Sequence, residues 1–278
     1  MPKGLNQKTN VMLEIIRELP NPWEILIDPI SLIILGIYAL LILWEAFFPA
    51  RKLPQVDHWK LRGMLSFGLF FYLSTYFPMI WDRYLTRFQL LDLTSMGVVQ
   101  GALVALLIYQ FGVYLWHRAM HKNGGLWRVF HQMHHSAERM DSYGAFFFSP
   151  MDMIGFSLLS SLAMVVVAGF TAHAATLFIL MTTFLSIFQH SNIRTPVWLG
   201  YIIQRPESHA IHHAKGIHAH NYSDLPIFDI LFGTFKNPVD FEHESGFYHG
   251  ASARLWDMLG FKDVSRQKEV ENPKVGNF

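Results

Sequence analysis

Histidine is concentrated in three short clusters of this 278-residue chain, and eight of its 15 histidines fall in them. An α-helix turns once in about 3.6 residues, so each cluster can place its rings on one face of a helix. Imidazoles presented in this way are good ligands for iron, zinc or copper. A lone histidine is usually ordinary, but three clusters together predict a metal site. The clusters are His117 and His121; His131, His134 and His135; and His209, His212 and His213.

The composition indicates a membrane protein. Apolar residues make up 51% of the chain, charged residues 15%, and the mean hydropathy is +0.23, as expected for an integral membrane protein. A net charge of +1 argues against a nucleic-acid partner. The absence of cysteine excludes disulfides, thiolate zinc sites and cysteine nucleophiles.

Long apolar runs predict an all-α polytopic membrane protein with four to five transmembrane helices. A run of about 20 apolar residues matches a hydrocarbon core of about 30 Å. We expect spans at 29–48, 61–80, 98–116, 154–170 and 174–188, the last two forming a hairpin. The chain then divides into an N-terminal amphipathic or interfacial segment (1–28, with a stripe of Val11, Ile15, Ile16 and Leu19), transmembrane helices that lead into the first cluster (29–116), a cap segment with the first two clusters (117–149), the transmembrane hairpin (150–190) and a cap with the third cluster (191–278).

A hairpin returns to its starting side, so all the clusters are expected on one side of the membrane. Cations are more numerous on that side than beside Arg83 and Arg87 in the opposite loop, and the positive-inside rule makes the histidine side cytoplasmic. The compact length and the lack of a fused electron donor favour a bacterial inner membrane over an endoplasmic reticulum.

The sequence around the clusters resembles the fatty acid hydroxylase and sterol desaturase superfamily of membrane di-iron enzymes. The matching motifs are HRAMH at 117–121, HQMHHSAE at 131–138, HAIHHAKG at 209–216, NYSDLP at 221–226 and FDILFGTF at 228–235. Ser149-Pro150-Met151-Asp152 looks like the family's His-Pro-Leu-Glu with changed residues. The resemblance covers about 98–235.

This resemblance implies a helical membrane base beneath a cytoplasmic helical cap in which histidines hold two iron ions, with zinc as a substitute on purification. His220 is expected to be a secondary or surface group, and Arg194 stands where relatives have a second histidine after the isolated one. The implied ligands are His117, His121, His131, His134, His135, His190, His209, His212 and His213, with His218 as a tenth candidate.

Ligands that are almost all neutral leave such a site strongly cationic, which suits oxygen activation better than hydrolysis. We expect O2 as co-substrate and hydroxylation or desaturation of a C–H bond in a lipid or sterol-like substrate. Electrons would come from a separate protein, either cytochrome b5-like or a ferredoxin with an NAD(P)H reductase. Glu138, Asp141, Glu207, Asp224 and Asp229 are candidates to orient the imidazoles, and Phe146, Phe147, Phe148, Tyr114 and Tyr143 to line a substrate route.

Other functions are less well supported. A membrane metal transporter or metal-binding protein would carry polar ligands along its spans, whereas here Gln100 and Gln110 are the main polar residues of the third span. A zinc peptidase would need the H-E-x-x-H helix, which is absent, as are the glycine-rich fingerprints of ATP and dinucleotide sites. No catalytic acid, base or nucleophile can be named from the sequence.

Overall fold

The computed structural model describes residues 17–266, and this part of the chain is mainly helical. Five helices are long and apolar enough to cross a membrane. The prediction of an all-α, multi-pass membrane protein is therefore confirmed, with five candidate spans. They are α2 (Pro29–Phe47), α3 (Trp59–Leu85, continued by the 3-10 turn Thr86–Phe88), α4 (Val98–Lys122), α7 (Pro150–Ser161, continued by the π-helical turn Leu162–Val167) and α8 (Ala172–His190).

The described chain begins close to a short helix, α1 (Pro22–Ile27). Asn21 caps it, and Glu24 returns a hydrogen bond to the Asn21 backbone. The hydroxyls of Tyr72 and Tyr76 on α3 donate to backbone carbonyls at Pro22 and Pro20, so the start of α1 lies against the middle of α3. Of the amphipathic stripe predicted in 1–28, Val11, Ile15 and Ile16 lie outside the described residues.

The remaining helices gather at the end of the bundle where α4 and α8 finish and α7 starts. At the opposite end, β1 (Leu91–Asp92) pairs in parallel with β2 (Ala168–Gly169). The helices of the histidine end are short: α5 (Gly124–Leu126), a π-helical turn (Trp127–His131), α6 (Gln132–His135), α9 (Pro206–His212), α10 (Ile227–Leu231) and α11 (Leu255–Leu259), with 3-10 turns at Ser142–Gly144, Val197–Tyr201 and Ala251–Ala253.

Among the spans, α8 packs against α2 and α4, and α7 packs against α3 and α4. Ala102 and Ala105 on α4 are fully buried beside Phe178 of α8, because small side chains let two membrane helices approach closely. Large apolar side chains such as Leu40 and Leu65 are more than 60% exposed on the outer surface. Such a surface suits contact with lipid.

The helix that carries the first histidine cluster is longer than predicted. The third span was expected to end at Trp116, but α4 continues to Lys122, so His117 and His121 lie on its last turns. The helix stops at Asn123, whose side chain accepts hydrogen bonds from the backbone of Gly125 and Leu126 and so caps α5. The chemistry-bearing residues of this cluster are thus part of a rigid span.

The C-terminal part of the described chain holds the second cluster in place. Gln132 donates to the backbone carbonyl of Lys262 and accepts from the backbone of Val264. Met133 packs in one buried cluster with Met258 and Val264. The C-terminal part of the described chain therefore fixes the position of α6.

Candidate metal centre

Nine of the ten histidines predicted as ligands converge into two groups at the histidine end of the bundle. Within each group, one potential ligand atom per residue lies within 4.8 Å of all the others. Every ring is buried except that of His121, which is partly exposed. The first group is His117, His121, His131, His135 and His212; the second is His134, His190, His209 and His213.

The helical spacing explains how the clusters divide between the groups. Histidines four residues apart stay together, as His117 with His121, His131 with His135, and His209 with His213. Histidines three residues apart fall in different groups: His131 is in the first group and His134 in the second, and His209 is in the second and His212 in the first. The expectation that His131, His134 and His135 share one face was therefore wrong for His134, since consecutive residues on a helix point about 100° apart.

Backbone carbonyls fix the tautomer of three of these rings. The Nδ1 atoms of His117, His190 and His212 lie 2.8, 2.6 and 2.7 Å from the carbonyl oxygens of Tyr222, Ser186 and His220. A carbonyl can only accept, so each Nδ1 carries the hydrogen and each Nε2 keeps a free lone pair. That lone pair is the one a metal ion would use.

His131 is oriented by a carboxylate instead. Its Nδ1 lies 2.7 Å from Oδ2 of Asp152, and both side chains are almost completely inaccessible to solvent. Asp152 is in the first turn of α7, where Ser149 caps the helix by accepting from its backbone. The pair therefore links the second histidine cluster to a membrane span.

Within each group, the Nε2 atoms of neighbouring rings face one another. Those of His117 and His131 are 2.8 Å apart, although both carry lone pairs, and the Nε2 of His190 lies 3.0 Å from that of His134 and 3.1 Å from that of His209. Two nitrogens bound at about 2.1 Å to one ion, at angles of about 90° to 109°, lie roughly 3.0 to 3.4 Å apart. The observed separations are close to this range, and a cation between the lone pairs would remove their repulsion.

Several ring nitrogens in the groups have no hydrogen-bond partner in the described structure although they are buried. Nε2 of His121, His135 and His212 and Nδ1 of His134 and His209 are of this kind. Buried polar atoms are almost always satisfied, so the unpartnered Nε2 atoms of His121, His135 and His212, which belong to one group, suit a bound cation. In the second group the Nε2 atoms of His134 and His209 face that of His190, and their unpartnered Nδ1 atoms lie on the opposite side of each ring. The donor set of each group therefore fits a metal ion that prefers imidazole.

Burial keeps these rings neutral. It lowers the pKa of the rings outside the spans well below the ordinary value, and the charges of neighbouring imidazoles lower it further. Neutral imidazole is the form that binds a metal ion, so at neutral pH no proton competes with the ion. The rings concerned are His131, His134, His135, His209, His212 and His213.

The sequence of this region matches a known family. Residues 102–234, which contain both histidine groups, match the fatty acid hydroxylase family. Residues 102–234 therefore form a domain of the fatty acid hydroxylase and sterol desaturase superfamily. The resemblance inferred from the histidine motifs is thereby confirmed, and all eight histidines of the three histidine motifs lie in the two groups.

The proteins that this chain matches are named for different substrates. A Delta(7)-sterol-C5(6)-desaturase of Nicotiana tabacum is 28% identical over 58% of this chain and 58% of its own length. The ornithine lipid hydroxylase OlsE of Rhizobium tropici is 31% identical over 49% of this chain and 41% of its own. A very-long-chain aldehyde decarbonylase of Oryza sativa is 26% identical over 78% of this chain and 38% of its own. The chain thus spans between about two fifths and three fifths of these relatives, and no solved structure matches it.

The tenth candidate, His218, lies beside the first group without joining it. Its Nδ1 is 3.1 Å from Nδ1 of His135. The segment around it is unusual, because His218, His220 and Asn221 all have positive φ angles. Asn221 stabilises this conformation by donating to Ser208 O and by accepting from the Lys236 backbone. His220 offers its carbonyl to His212 rather than its ring.

Arg194 occupies the position where relatives have a second histidine after the isolated one. Its guanidinium pairs with Asp240 at 2.9 Å, and both side chains are about half exposed. This position therefore contributes a surface ion pair and lies outside both histidine groups.

The five acids predicted to orient the rings bind other groups, and none accepts a hydrogen bond from an imidazole within residues 17–266. Asp229 accepts from the backbones of Tyr222 and Ser223, so it fixes the segment whose carbonyl orients His117. Asp224 accepts from Gln110 and Gln189. Glu207 binds Thr195, Asp141 binds Trp59, and Glu138 accepts weakly from Ser252.

Sequence reasoning missed Asp152, which does orient a ring. In the sequence, Asp152 was noted only as a changed residue of a family motif. The available signal was a carboxylate three residues after a serine N-cap at the start of an apolar span, where a charge is costly unless it has a partner.

An apolar cavity adjoins the histidines. A small cavity of about 60 Å³ lies against the rings, and a large one of about 940 Å³ lies between the spans. Their shared lining is Phe70, Tyr109, Phe146 and Phe156. Of the aromatic residues predicted to line a substrate route, Phe146 and Phe148 line these cavities, whereas Phe147, Tyr114 and Tyr143 do not.

Proposed function

We propose that this protein is a non-haem di-iron oxidoreductase that uses O2 and external electrons to hydroxylate or desaturate a C–H bond of a lipid or sterol-like substrate. The observation that carries the proposal is the position of two all-imidazole groups at the end of an apolar cavity between membrane spans. Such a cavity admits hydrocarbon and excludes water, and neutral nitrogen ligands suit redox-active iron.

The nine grouped histidines are the proposed ligands, and His218 is proposed as a tenth that completes the first group beside His135. Two bound iron ions would supply the activation of O2. In hydroxylation, one oxygen atom enters the substrate and the other leaves as water, with two electrons and two protons taken up. In desaturation, the substrate loses two hydrogens, two electrons and two protons are again taken up from outside, and both oxygen atoms leave as water.

The side chains around the groups prepare the site for this chemistry. Asp152 and the carbonyls of Tyr222, Ser186 and His220 hold the Nε2 atoms toward the centre of each group. Phe148 lies against His134, with ring centres 4.5 Å apart, and Phe156 lies 6.3 Å from His131. These aromatic rings exclude water and bring hydrocarbon against the imidazoles.

Asp224 is a candidate to hold a proton beside the second group. It lines the small cavity together with His190 and His209. Burial raises its pKa to about 6, so its carboxyl takes up and releases a proton near neutral pH. The proton demand of the proposed reaction makes such a group useful at this position.

The substrate class rests on the relatives and on the cavity. Two relatives are named for action on a sterol and on an ornithine lipid, and we propose a lipid of this general kind. We further propose that the histidine side faces the cytoplasm of a bacterial cell, where a cytochrome b5-like protein or a ferredoxin with its NAD(P)H reductase supplies electrons. The many cations on the histidine side of the membrane favour this orientation.

The test is a reconstitution with iron, a reductant and ¹⁸O2 in lipid vesicles, followed by mass spectrometry of the lipids. We expect a lipid that has gained ¹⁸O or lost two hydrogens. A His134→Ala variant should lose this activity, whereas His173→Ala, whose ring is exposed at the start of α8, should keep it. Iron-loaded protein that leaves the lipids unchanged but carries metal ions across the vesicle membrane would favour the transporter instead.

A further inference from the structure

The large cavity between the spans has two chemically different ends. Toward the histidines it is closed by the aromatic side chains that it shares with the small cavity. Phe70 and Phe146 stack there with ring centres 4.5 Å apart. At the far end the lining residues are Glu24, Asp28, Asp82 and Arg83. A molecule in the cavity therefore meets only weakly polar groups at one end and charges at the other.

The length of the cavity matches one lipid chain. Helix α3 lines it from Phe67 to Arg83, which is a rise of about 24 Å at 1.5 Å per residue. The hydrocarbon core of a bilayer is about 30 Å thick and contains two chains end to end, so one chain spans about 15 Å. The cavity can hold one such chain together with a headgroup at its end.

The charges at the far end select among headgroups. Asp82 has a buried Oδ1 without a hydrogen-bond partner. Arg83 is the single cation among the described lining residues, and Glu18 already pairs with it at 2.9 Å. Asp28 and Glu24 add two further carboxylates. This end is therefore net negative: it repels an anion and offers an acceptor to a group that donates hydrogen bonds.

We propose that the cavity binds a long-chain lipid whose headgroup is neutral or cationic and donates hydrogen bonds, as an amine or a hydroxyl does. The headgroup lies at Asp82, on the face opposite the histidines, and the chain runs toward Phe70 and Phe156. The carbon nearest the histidines then belongs to the chain, far from the headgroup. The binding mode thus indicates which part of a substrate would be oxidised, and this conclusion rests on the proposed function.

The test uses photo-crosslinking in vesicles and needs no turnover. The probes are hexadecylamine, hexadecanol and hexadecyl phosphate, each with a diazirine either beside the headgroup or at the chain end, and peptide mass spectrometry locates the label. We expect the headgroup label on 78–83 and the chain-end label near Phe70 or Phe156. The phosphate should label the cavity about tenfold less than the amine, a ratio that corresponds to about 1.4 kcal/mol.

Two variants test the role of the carboxylate. Asp82→Asn should bring the labelling by hexadecylamine down to that by hexadecanol, whereas Asp92→Asn, which removes an exposed charge at the same end of the bundle, should preserve the preference for the amine. A headgroup label at the histidine end, equal labelling by amine and phosphate, or no label in the cavity would overturn the proposal. Correct labelling in a protein that oxidises no lipid would refute the proposed function alone.

Discussion

The Oδ2 atom of Asp152 lies 2.7 Å from Nδ1 of His131, and this is the one hydrogen bond between a carboxylate and a grouped histidine in residues 17–266. The remaining oriented rings use backbone carbonyls, which cannot be removed by a side-chain substitution. Asp152 is therefore the point at which ligand orientation can be tested without changing a ligand.

An Asp152→Ala variant should bind metal about 10- to 100-fold more weakly, as expected when the hydrogen-bond partner of a ligating histidine is lost. Asp152→Asn should lose less, because the amide oxygen can still accept from Nδ1. Competition with a chromophoric chelator measures these affinities. If both variants bind metal as tightly as the unchanged protein, the orienting role of Asp152 is excluded.

Removing a histidine that serves only one group should remove one ion. His117 belongs to the first group and His190 to the second, and neither has an adjacent histidine. Because we propose one ion for each group, we expect His117→Ala and His190→Ala each to lower the bound metal from two ions to about one per chain. Elemental analysis by mass spectrometry measures this ratio, with His173→Ala as the control that keeps both ions. Unchanged metal content in His117→Ala would remove that residue from the ligand set.

Two glycines of α3 provide a matched test of how this span meets the histidine end. A methyl group at Gly63 would overlap the backbone carbonyl of Tyr143, whereas one at Gly68 would meet no atom within 4 Å. Gly63→Ala should therefore destabilise the protein by about 1–3 kcal/mol, and Gly68→Ala should stabilise the helix by up to about 1 kcal/mol. Thermal unfolding in detergent should show the two midpoints moving in opposite directions; equal shifts would contradict the packing of α3 on this turn.

The buried carboxyl of Asp224 should make stability depend on pH. Burial raises its pKa from 3.8 to about 6, so between these values the folded chain binds more protons than the unfolded chain. The free energy of unfolding should therefore fall as the pH rises from about 4 through 6, by at most about 3 kcal/mol, and this contribution is constant above that range.

Asp224→Asn should abolish this part of the pH dependence. The substitution keeps a hydrogen-bonding side chain. Nε2 of Gln189 now donates to Oδ1 of Asp224, and a 180° turn of the Gln189 amide would present its unpartnered Oε1 to the new amide nitrogen instead. Unfolding midpoints measured from pH 4 to 7 for both proteins give the difference. Parallel curves would show that Asp224 does not titrate in this range.

The sequence predicts the spans well, because an apolar run of about 20 residues, such as 29–48, has the length that the hydrocarbon core of a bilayer requires. It also identifies the histidines, since spacing of three and four residues aligns side chains on a helix. The ends of the helices are harder to predict: nothing in the run from Trp116 to Lys122 breaks a helix, so polarity alone misplaced the end of α4.

The partners of the histidines were not predictable in the same way. The carbonyl of Tyr222 and the carboxylate of Asp152 reach their rings through the packing of α4, α7 and the segment after α9. Tyr222 is 105 residues after His117 in the sequence. The large cavity likewise depends on how α3, α7 and α8 diverge. Local patterns contain no information on such distances between elements.

The two histidine doublets have a geometric consequence. His134 and His135 enter different groups, and so do His212 and His213, although consecutive Cα atoms are only 3.8 Å apart. Each doublet therefore links ligands of the two ions that the groups would hold, and the reach of two imidazoles on neighbouring Cα atoms limits the interval between those ions. A residue inserted inside either doublet would turn the following ring by about 100° and so remove it from its group.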